Sequence, residues 1–257
     1  MLKRANGRVD GFVVEGPTAG GHNAPPRGKL QLNAVGEPIY GERDRVSLSD
    51  LRALGVPFWL AGGYGSSGKL DEALEQGAAG VQIGTAFALS RESGLRPDLK
   101  TTLLEQAIAR SGRVVTDPLA SPTGFPFKVA QLEGTSSVAA TYQGRKRVCD
   151  LGYLREPFVT ADGKIAYRCA AEPVESYAAK GGMAADTAGR KCLCNALLAN
   201  VGHSQVREDG AIEPPLITLG DDLNSVAEFL APGENSYSAA DVVKQILQYR
   251  DASLQAS

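Results

Sequence analysis

The sequence lacks the long apolar runs and the blocks of like charge that mark several classes of protein. None of its 257 residues fall in a run of about eighteen apolar residues, so no membrane span is predicted. Its 27 basic and 29 acidic residues nearly cancel, giving a net charge of −2. Because the charges are interspersed, nothing predicts binding to nucleic acid or to an anionic membrane.

Cysteine is also scarce, and all four cysteines lie in the second half of the chain, at positions 149, 169, 192 and 194. The first residues are followed by no apolar segment of signal-peptide type. We therefore expect reduced thiols and a cytoplasmic location.

A metal site is the second interpretation of these cysteines. Cys192 and Cys194, with Cys169 and His203, include ligand types that zinc uses. Zinc ligands usually come in pairs two to four residues apart, and a C-x-C pair in a helix directs its thiols to different faces. Buried structural thiols are the simpler interpretation, and no metal is predicted.

Three apolar runs end in glycine, and they organise the first ninety residues. The runs over 9–15, 57–63 and 80–85 each predict a buried strand, and helix-forming segments over 47–55 and 66–77 separate them. Helical connections of this length predict parallel strands joined as βα units. The composition, 43% hydrophobic and 22% charged, is ordinary for an α/β protein.

The pattern changes after residue 90, where prolines and glycines become frequent. Helices are predicted over 99–110, 187–199 and 239–249. The run 215–219 is interpreted as a strand, and Asp221 and Asp222 after it suggest a solvated turn or a helix cap.

The long loop around 25–45 is expected to cover a site. The chain divides into 1–95 (βα units), 96–140 (a helical region) and 141–257 (a C-terminal extension).

Glycines follow the second and third strands at positions where a ligand could approach the backbone. Gly62, Gly63 and Gly84 are followed by helix-forming residues, a pattern typical of phosphate sites. The alternative is that they form tight turns and helix ends.

His22 follows the first strand, where barrel enzymes place catalytic groups and where an imidazole can accept a proton. The alternative is a loop histidine bonded to a backbone carbonyl. The single tryptophan, Trp59, is interpreted as a core residue.

Three motifs together resemble the nitronate monooxygenases, formerly called 2-nitropropane dioxygenases. They are Ala-Gly-Gly-His at 19–22, Leu-Ala-Gly-Gly at 60–63, and the segment 77–85 ending in Gln-Ile-Gly-Thr. They occur in the order and spacing of that family. The resemblance implies the C-terminal part, about three βα units, of a TIM-type (β/α)8 barrel, followed by a mainly helical and irregular region.

The same resemblance implies an FMN-dependent oxidoreductase that oxidises alkyl nitronates with molecular oxygen. It assigns His22 as the catalytic base beside the flavin. It assigns the cofactor-binding residues as Gly20 and Gly21 at the flavin ring, and as Gly62, Gly63, Gln82, Gly84 and Thr85 at the phosphate. The substrate partners are a nitronate or nitroalkane and O2. Related FMN-dependent enoyl-thioester reductases, which use NAD(P)H, have a similar histidine motif and are an alternative.

The chain departs from the family pattern in three respects, one of which is the long C-terminal extension over roughly residues 140–257, whose role the motifs do not explain. About five βα units that precede the first motif in the family are not in this sequence, and the family's Glu-Ala-Gly-Gly-His-x-Gly is Thr-Ala-Gly-Gly-His-Asn-Ala at 18–24. We therefore expect an N-terminally truncated product, or one half of a split barrel that self-association or a partner chain completes. A non-catalytic half of this kind is the third interpretation.

Overall fold

The computed structural model describes residues 6–255, with side chains described as far as residue 247. Its first part is a three-stranded parallel sheet in the order β1-β2-β3. The strands are β1 (Phe12–Glu15), β2 (Phe58–Ala61) and β3 (Gly80–Gln82), and they are joined by α1 (Leu48–Ala53) and α2 (Lys69–Glu75). The predicted α/β class, with three parallel βα units, is confirmed, although each strand is shorter than its apolar run.

The register of the sheet aligns the ends of the three strands. Glu15 pairs with Ala61, and Ala61 pairs with Gln82. These residues form one row across the carboxyl edge of the sheet. The loops that leave the three strands therefore start side by side, which is where α/β folds place their ligands.

One face of the sheet is covered by α1 and α2. Ser47 caps α1, its Oγ accepting the Asp50 N–H at 3.3 Å, as expected of a serine at this position. Phe58 and Leu60 are buried beneath the helices together with Ala73 of α2. Burial of a side chain of the size of Phe58 or Leu60 stabilises the fold by about 1.5–3 kcal/mol.

The opposite face is more open. Val13 remains 51% exposed, and its register partner Trp59 is half-buried. Trp59 lies against Gly11 and Gly80, where a Cβ would approach its ring to 2.7 and 3.1 Å. Trp59 therefore packs across the strands. Among the described residues, no further strand pairs with β1 or β3, so both edges of the sheet are unpaired.

The remainder of the chain combines short helices with two antiparallel strand pairs. The helices are α3 (Thr85–Ala88), α4 (Pro97–Ile108), α5 (Ala139–Gly144), α6 (Val174–Ala179), α7 (Leu193–Ala199) and α8 (Ala239–Gln255). The strand pairs are β4 (Val114–Asp117) with β5 (Phe127–Ala130), and β6 (Glu156–Val159) with β7 (Ile165–Arg168). Short 3-10 segments cover Glu42–Asp44, Ala184–Thr187 and Asp221–Phe229.

Two predictions for this region needed correction. The helix expected over 187–199 starts only at Leu193, because Gly189 has a left-handed φ of 71°. The run 215–219 does not form a strand; it lies beside β5, with the Ala130 N–H donating to the Ile217 carbonyl at 2.9 Å. Neither antiparallel pair was predicted. The helices expected over 99–110 and 239–249 are confirmed as α4 and α8.

The C-terminal extension packs onto the βα units rather than standing apart from them. The largest apolar cluster joins Ala86 of α3, Leu103 of α4, Val226 of the last 3-10 segment and Val242 of α8. Each of these four side chains is fully buried. Within residues 6–255, no helix has the length and apolar character needed to cross a bilayer.

Candidate active site

The loops that leave the three parallel strands enclose a cavity of about 280 Å³, which we call the strand-end cavity. The cavity collects every cofactor-binding residue that the sequence motifs predicted. These are Gly20, Gly21, Gly62, Gly63, Gln82, Gly84 and Thr85. The three motifs are far apart in the sequence, and the alignment of the strand ends brings them together.

Glycine has two different uses in this lining. Gly62 has a φ of 90°, and a Cβ there would lie 2.8 Å from the Ala19 backbone nitrogen, so the turn after β2 can pack against the loop after β1 only without a side chain. A Cβ at Gly84 would meet nothing within 4 Å. The backbone of Gly84 is therefore open to a group that enters from the cavity side.

The fourth wall of the cavity comes from residues 218–222, which we call the closing segment. Thr218, Leu219, Gly220 and Asp222 line the cavity. The Gly21 N–H donates to the Thr218 Oγ1 at 2.6 Å, and the Asp221 N–H donates to the Thr18 carbonyl at 3.0 Å. These bonds fix the closing segment to the loop after β1.

Thr85 fixes the other end of the closing segment. Its Oγ1 donates to the Asp222 Oδ1 at 2.7 Å and accepts the Gly220 N–H at 2.9 Å. Thr85 is 5% exposed. Its hydroxyl is thus engaged within the protein, although the residue lines the cavity.

Asp221 anchors the closing segment through an ion pair. The buried ammonium of Lys128, on β5, lies 2.5 Å from the Asp221 Oδ1. Asp221 also begins the 3-10 segment Asp221–Phe229. The sequence interpretation of a solvated turn or cap therefore missed both this pairing and the place of Asp222 in the cavity wall. The available signal was an apolar run ending in glycine, the same pattern as at the three strand ends.

The side chains of the strand-end cavity are acidic or neutral. Glu15 and Asp222 contribute carboxylates, and no lysine or arginine of the described residues lines it. Desolvation by burial raises the pKa of Glu15. A ligand that carries negative charge would therefore depend on backbone N–H groups and neutral donors such as the Gln82 amide.

His22 stands beside this cavity but does not line it. Its Nε2 is hydrogen-bonded to the Ser121 Oγ at 2.6 Å, and its ring meets the edge of Phe127 with 4.8 Å between centroids. Desolvation by burial lowers the pKa of His22. The imidazole is therefore held in its neutral form near neutral pH, and Ser121, rather than a backbone carbonyl, is its partner.

A second cavity adjoins the first and is partly walled by the long loop after β1. It has a volume of about 560 Å³, and the chain between β1 and α1 contributes Tyr40, Gly41, Glu42, Asp44, Arg45 and Val46 to its lining. Glu15, Ala61, Gly62 and Tyr64 line both cavities. The expectation that the long loop covers a site agrees with this position.

Metal-binding side chains are not grouped in the part of the chain that the structure describes. No cluster of three or more His, Cys, Asp or Glu side chains there is arranged to hold a metal ion. The four cysteines are free thiols. His203 is exposed, and Cys169 and Cys192 are buried together.

Comparison with known proteins gives one family and several curated relatives. The family model for nitronate monooxygenase matches residues 2–118. A nitronate monooxygenase of Pseudomonas aeruginosa is 35% identical over 125 residues, which are 47% of this chain and 33% of that protein. A probable nitronate monooxygenase of Bacillus subtilis is 38% identical over 97 residues, 38% of this chain and 26% of that protein.

A third relative has a different name. The 5-hydroxy-7a-methyl-1-oxo-octahydro-1H-indene-4-carboxyl-CoA dehydrogenase of Mycobacterium tuberculosis is 32% identical over 125 residues, 49% of this chain and 30% of that protein. The matches thus span a third or less of the length of these three relatives. A solved structure of a FabK variant from Thermotoga maritima aligns with 99% of this chain and 56% of its own, at 18% identity and a TM-score of 0.49.

Proposed function

Because the family model for nitronate monooxygenase matches residues 2–118, we propose that this chain carries the phosphate-binding side and the catalytic histidine of an FMN-dependent oxidoreductase. Its substrates would be alkyl nitronates and molecular oxygen. The observation that carries the proposal is the convergence of seven predicted residues on one cavity at the carboxyl edge of a parallel sheet.

The cavity residues fit the phosphate end of FMN better than the whole cofactor. The open backbone at Gly84 leaves room for close approach of a phosphate, and Gly62, Gly63 and the Gln82 amide would hold it. The volume of 280 Å³ is just below the roughly 300–1,000 Å³ of typical small-molecule sites. The adjoining cavity provides the additional space that the remainder of the cofactor needs.

His22 would act as the base. The flavin, when bound, supplies the acceptor for two electrons. The neutral His22 imidazole takes a proton from the carbon that bears the nitro group, which converts a nitroalkane into its nitronate. The Ser121 hydroxyl orients the ring through Nε2, and the edge of Phe127 limits its rotation.

Binding of FMN tests the cofactor proposal directly. Titration of the chain into FMN should quench the flavin fluorescence, and the Gly84→Leu variant should weaken binding by about ten-fold or more because its side chain fills the approach to the backbone. Gly144→Leu is the matched control, since a Cβ there also meets nothing within 4 Å and Gly144 lies outside both cavities. Equal binding by the two variants would contradict the proposed site.

The base role requires a separate experiment with the FMN-loaded chain. His22→Asn should reduce oxygen consumption with neutral nitroalkanes far more than with preformed nitronates, because only the former must lose a proton. Equal losses with both substrates would exclude His22 as the base.

A thioester substrate is the second candidate, and the similarity to the CoA dehydrogenase favours it. An enoyl-thioester reductase of this kind would be reduced rapidly by NAD(P)H, whereas oxidation of a nitronate requires no pyridine nucleotide. Anaerobic mixing of the FMN-loaded chain with NAD(P)H, followed by the flavin absorbance, distinguishes the two. Rapid bleaching supports the reductase, and an unchanged spectrum supports nitronate oxidation.

The unpaired edges of β1 and β3 support completion of the sheet by strands outside the described residues, from a second copy or from a partner chain. Light scattering coupled to size exclusion should then give a mass above that of one chain for the isolated protein, if the second copy is the partner. A mass equal to that of one chain would contradict self-association. Completion by a different partner chain would then be the remaining possibility, and co-purification would test it.

A further inference from the structure

The cysteines of the C-terminal extension form a cluster that the proposed flavin chemistry does not use. Cys169 and Cys192 are each 5% exposed and pack together with Ala171, and the half-buried Cys149 packs against them. The Cys169 thiol is the strongest influence on the pKa of Cys149, and Cys149 is the strongest on the pKa of Cys169. Three cysteines thus pack in one cluster, and one of them is partly accessible from solvent.

Cys149 and Cys169 lie at the base of the β6–β7 hairpin. Cys149 precedes the hairpin, and Cys169 follows Arg168, the last residue of β7. The hairpin itself is largely exposed, with Val159 71% and Ile165 70% exposed. A covalent bond between the two sulfurs would close the hairpin into a loop without involving the strand-end cavity.

The surroundings give the two thiols different chemistry. The Cys169 thiol, the charge of Arg155 and the Gly152 N–H lower the pKa of Cys149 to about 6, although burial and Glu172 oppose them. The neighbouring Cys149 and burial raise the pKa of Cys169. Cys149 is therefore a thiolate near neutral pH while Cys169 keeps its proton, as in an attacking and a resolving thiol.

The buried carboxylate of Glu172 adds an independent observation at the same place. Glu172 is 4% exposed, its Oε2 pairs with Lys180, and its Oε1 is buried without a hydrogen-bond partner. Its N–H donates to the Cys169 carbonyl at 3.0 Å. Natural proteins leave few such buried oxygens unsatisfied, and those that remain often mark a functional group.

We propose that Cys149 and Cys169 form a redox-active thiol pair that a small disulfide, such as glutathione disulfide, converts into an intramolecular disulfide. The Cys149 thiolate attacks one sulfur of the small disulfide, so that a mixed disulfide forms and one thiolate leaves. The Cys169 sulfur then attacks the Cys149 sulfur, and its proton goes to the second departing thiolate. The protein loses two electrons and one proton, and the small disulfide is reduced to one thiol and one thiolate, which takes up a proton from the solvent.

The geometry favours this pair over the other combinations. Burial raises the pKa of Cys192 to about 11. Cys192 packs in the same cluster, but the strongest influence on the pKa of Cys149 comes from Cys169 and not from Cys192. Cys194 lies in α7 and is not a member of the cluster. A metal is disfavoured because, among the described residues, no three His, Cys, Asp or Glu side chains are arranged to hold one.

The test uses the full chain, reduced, desalted and then exposed to glutathione disulfide. The denatured product should retain two of its four free thiols, and non-reducing peptide mapping should show one link between Cys149 and Cys169. Cys194→Ser is the control variant and should form the same link. The proposal is overturned if all four thiols survive, if the link joins another pair, or if stoichiometric zinc protects the thiols until a chelator removes it.

Two variants separate the attack of Cys149 on the small disulfide from the attack of Cys169 on the mixed disulfide. Cys169→Ser should accumulate a stable mixed disulfide on Cys149, because the resolving thiol is gone. In Cys149→Ser, an adduct should form on Cys169 more slowly than the adduct on Cys149 forms in Cys169→Ser, because the Cys169 thiol is buried and protonated. Equal modification of both variants would overturn the assignment, and circular dichroism checks that each variant is folded.

Discussion

The Thr85 Oγ1 donates a hydrogen bond to the Asp222 Oδ1 at 2.7 Å, across 137 positions of the sequence. The same oxygen accepts the Gly220 N–H at 2.9 Å. Thr85 therefore links the third βα unit to the closing segment, and a residue selected from a cofactor motif has a structural task as well. Four predictions follow from the contacts around this link and around His22.

Replacing Thr85 by valine should destabilise the protein. The valine keeps the shape but leaves the Asp222 carboxylate and the Gly220 N–H without their partner, at a cost of about 1–3 kcal/mol in the free energy of unfolding. Urea unfolding measures the loss. Thr101→Val, at an exposed position of α4, is the matched control and should change stability little; similar losses for both would show that the hydroxyl of Thr85 contributes nothing.

A methyl group at Gly20 should separate the closing segment from the loop after β1. A Cβ there would lie 2.9 Å from the Leu219 carbonyl carbon and 3.1 Å from the Gly220 nitrogen. Because both neighbours are backbone atoms, the strain should cost about 1–3 kcal/mol in Gly20→Ala. Thermal unfolding checks this against Gly144→Ala, for which the Cβ meets nothing within 4 Å. An unchanged midpoint in Gly20→Ala would mean that the closing segment is not held against this loop.

The two partners of the Lys128–Asp221 ion pair should respond unequally to mutation. The Lys128 side chain is 4% exposed and that of Asp221 is 43% exposed. Asp221→Ala leaves a buried ammonium without a partner and should cost on the order of 3 kcal/mol. Lys128→Met keeps the buried stem and leaves a carboxylate that water reaches, so its cost should be smaller. Chemical denaturation of both variants and of the double mutant measures the difference, and a larger loss for Lys128→Met would refute the prediction.

The stability contributed by His22 should depend on pH. Its pKa in the folded protein is lowered by desolvation, so the folded state favours the neutral imidazole more than the unfolded chain does. The contribution is complete above the ordinary histidine pKa of about 6.5 and is lost as the pH falls through the lower folded value. His22→Gln should flatten this part of the stability profile. Thermal melts between neutral and mildly acidic pH test it, and parallel profiles for the two proteins would contradict it.

The sequence predicted the strand ends because their signals are local. The apolar runs, the helix cap at Ser47 and the glycines after each strand lie within short windows, and parallel pairing then brings the predicted residues together. The row formed by Glu15, Ala61 and Gln82 follows from the same pattern. The cofactor role of the lining remains a prediction until FMN binding is measured.

The closing segment was not predicted because its role depends on contacts between distant residues. Asp221 and Asp222 have the composition of a solvated turn, and nothing beside them in the sequence indicates Lys128 or Thr85 as partners. The antiparallel pairs were missed for a related reason. Pro118 and Pro126 flank the connection between β4 and β5 and suggested a region without strands, although proline is tolerated at strand ends.

The origin of the cavity walls also bears on the order in which the protein folds. Three walls come from residues 15–88, and the fourth comes from residues 218–222. The contact between these two parts closes a loop that contains the whole chain between residues 88 and 218. Closing so long a loop is slow compared with forming adjacent βα units. The sheet can therefore assemble while most of the chain is still unfolded, and the complete strand-end cavity should appear only in the last phase of refolding.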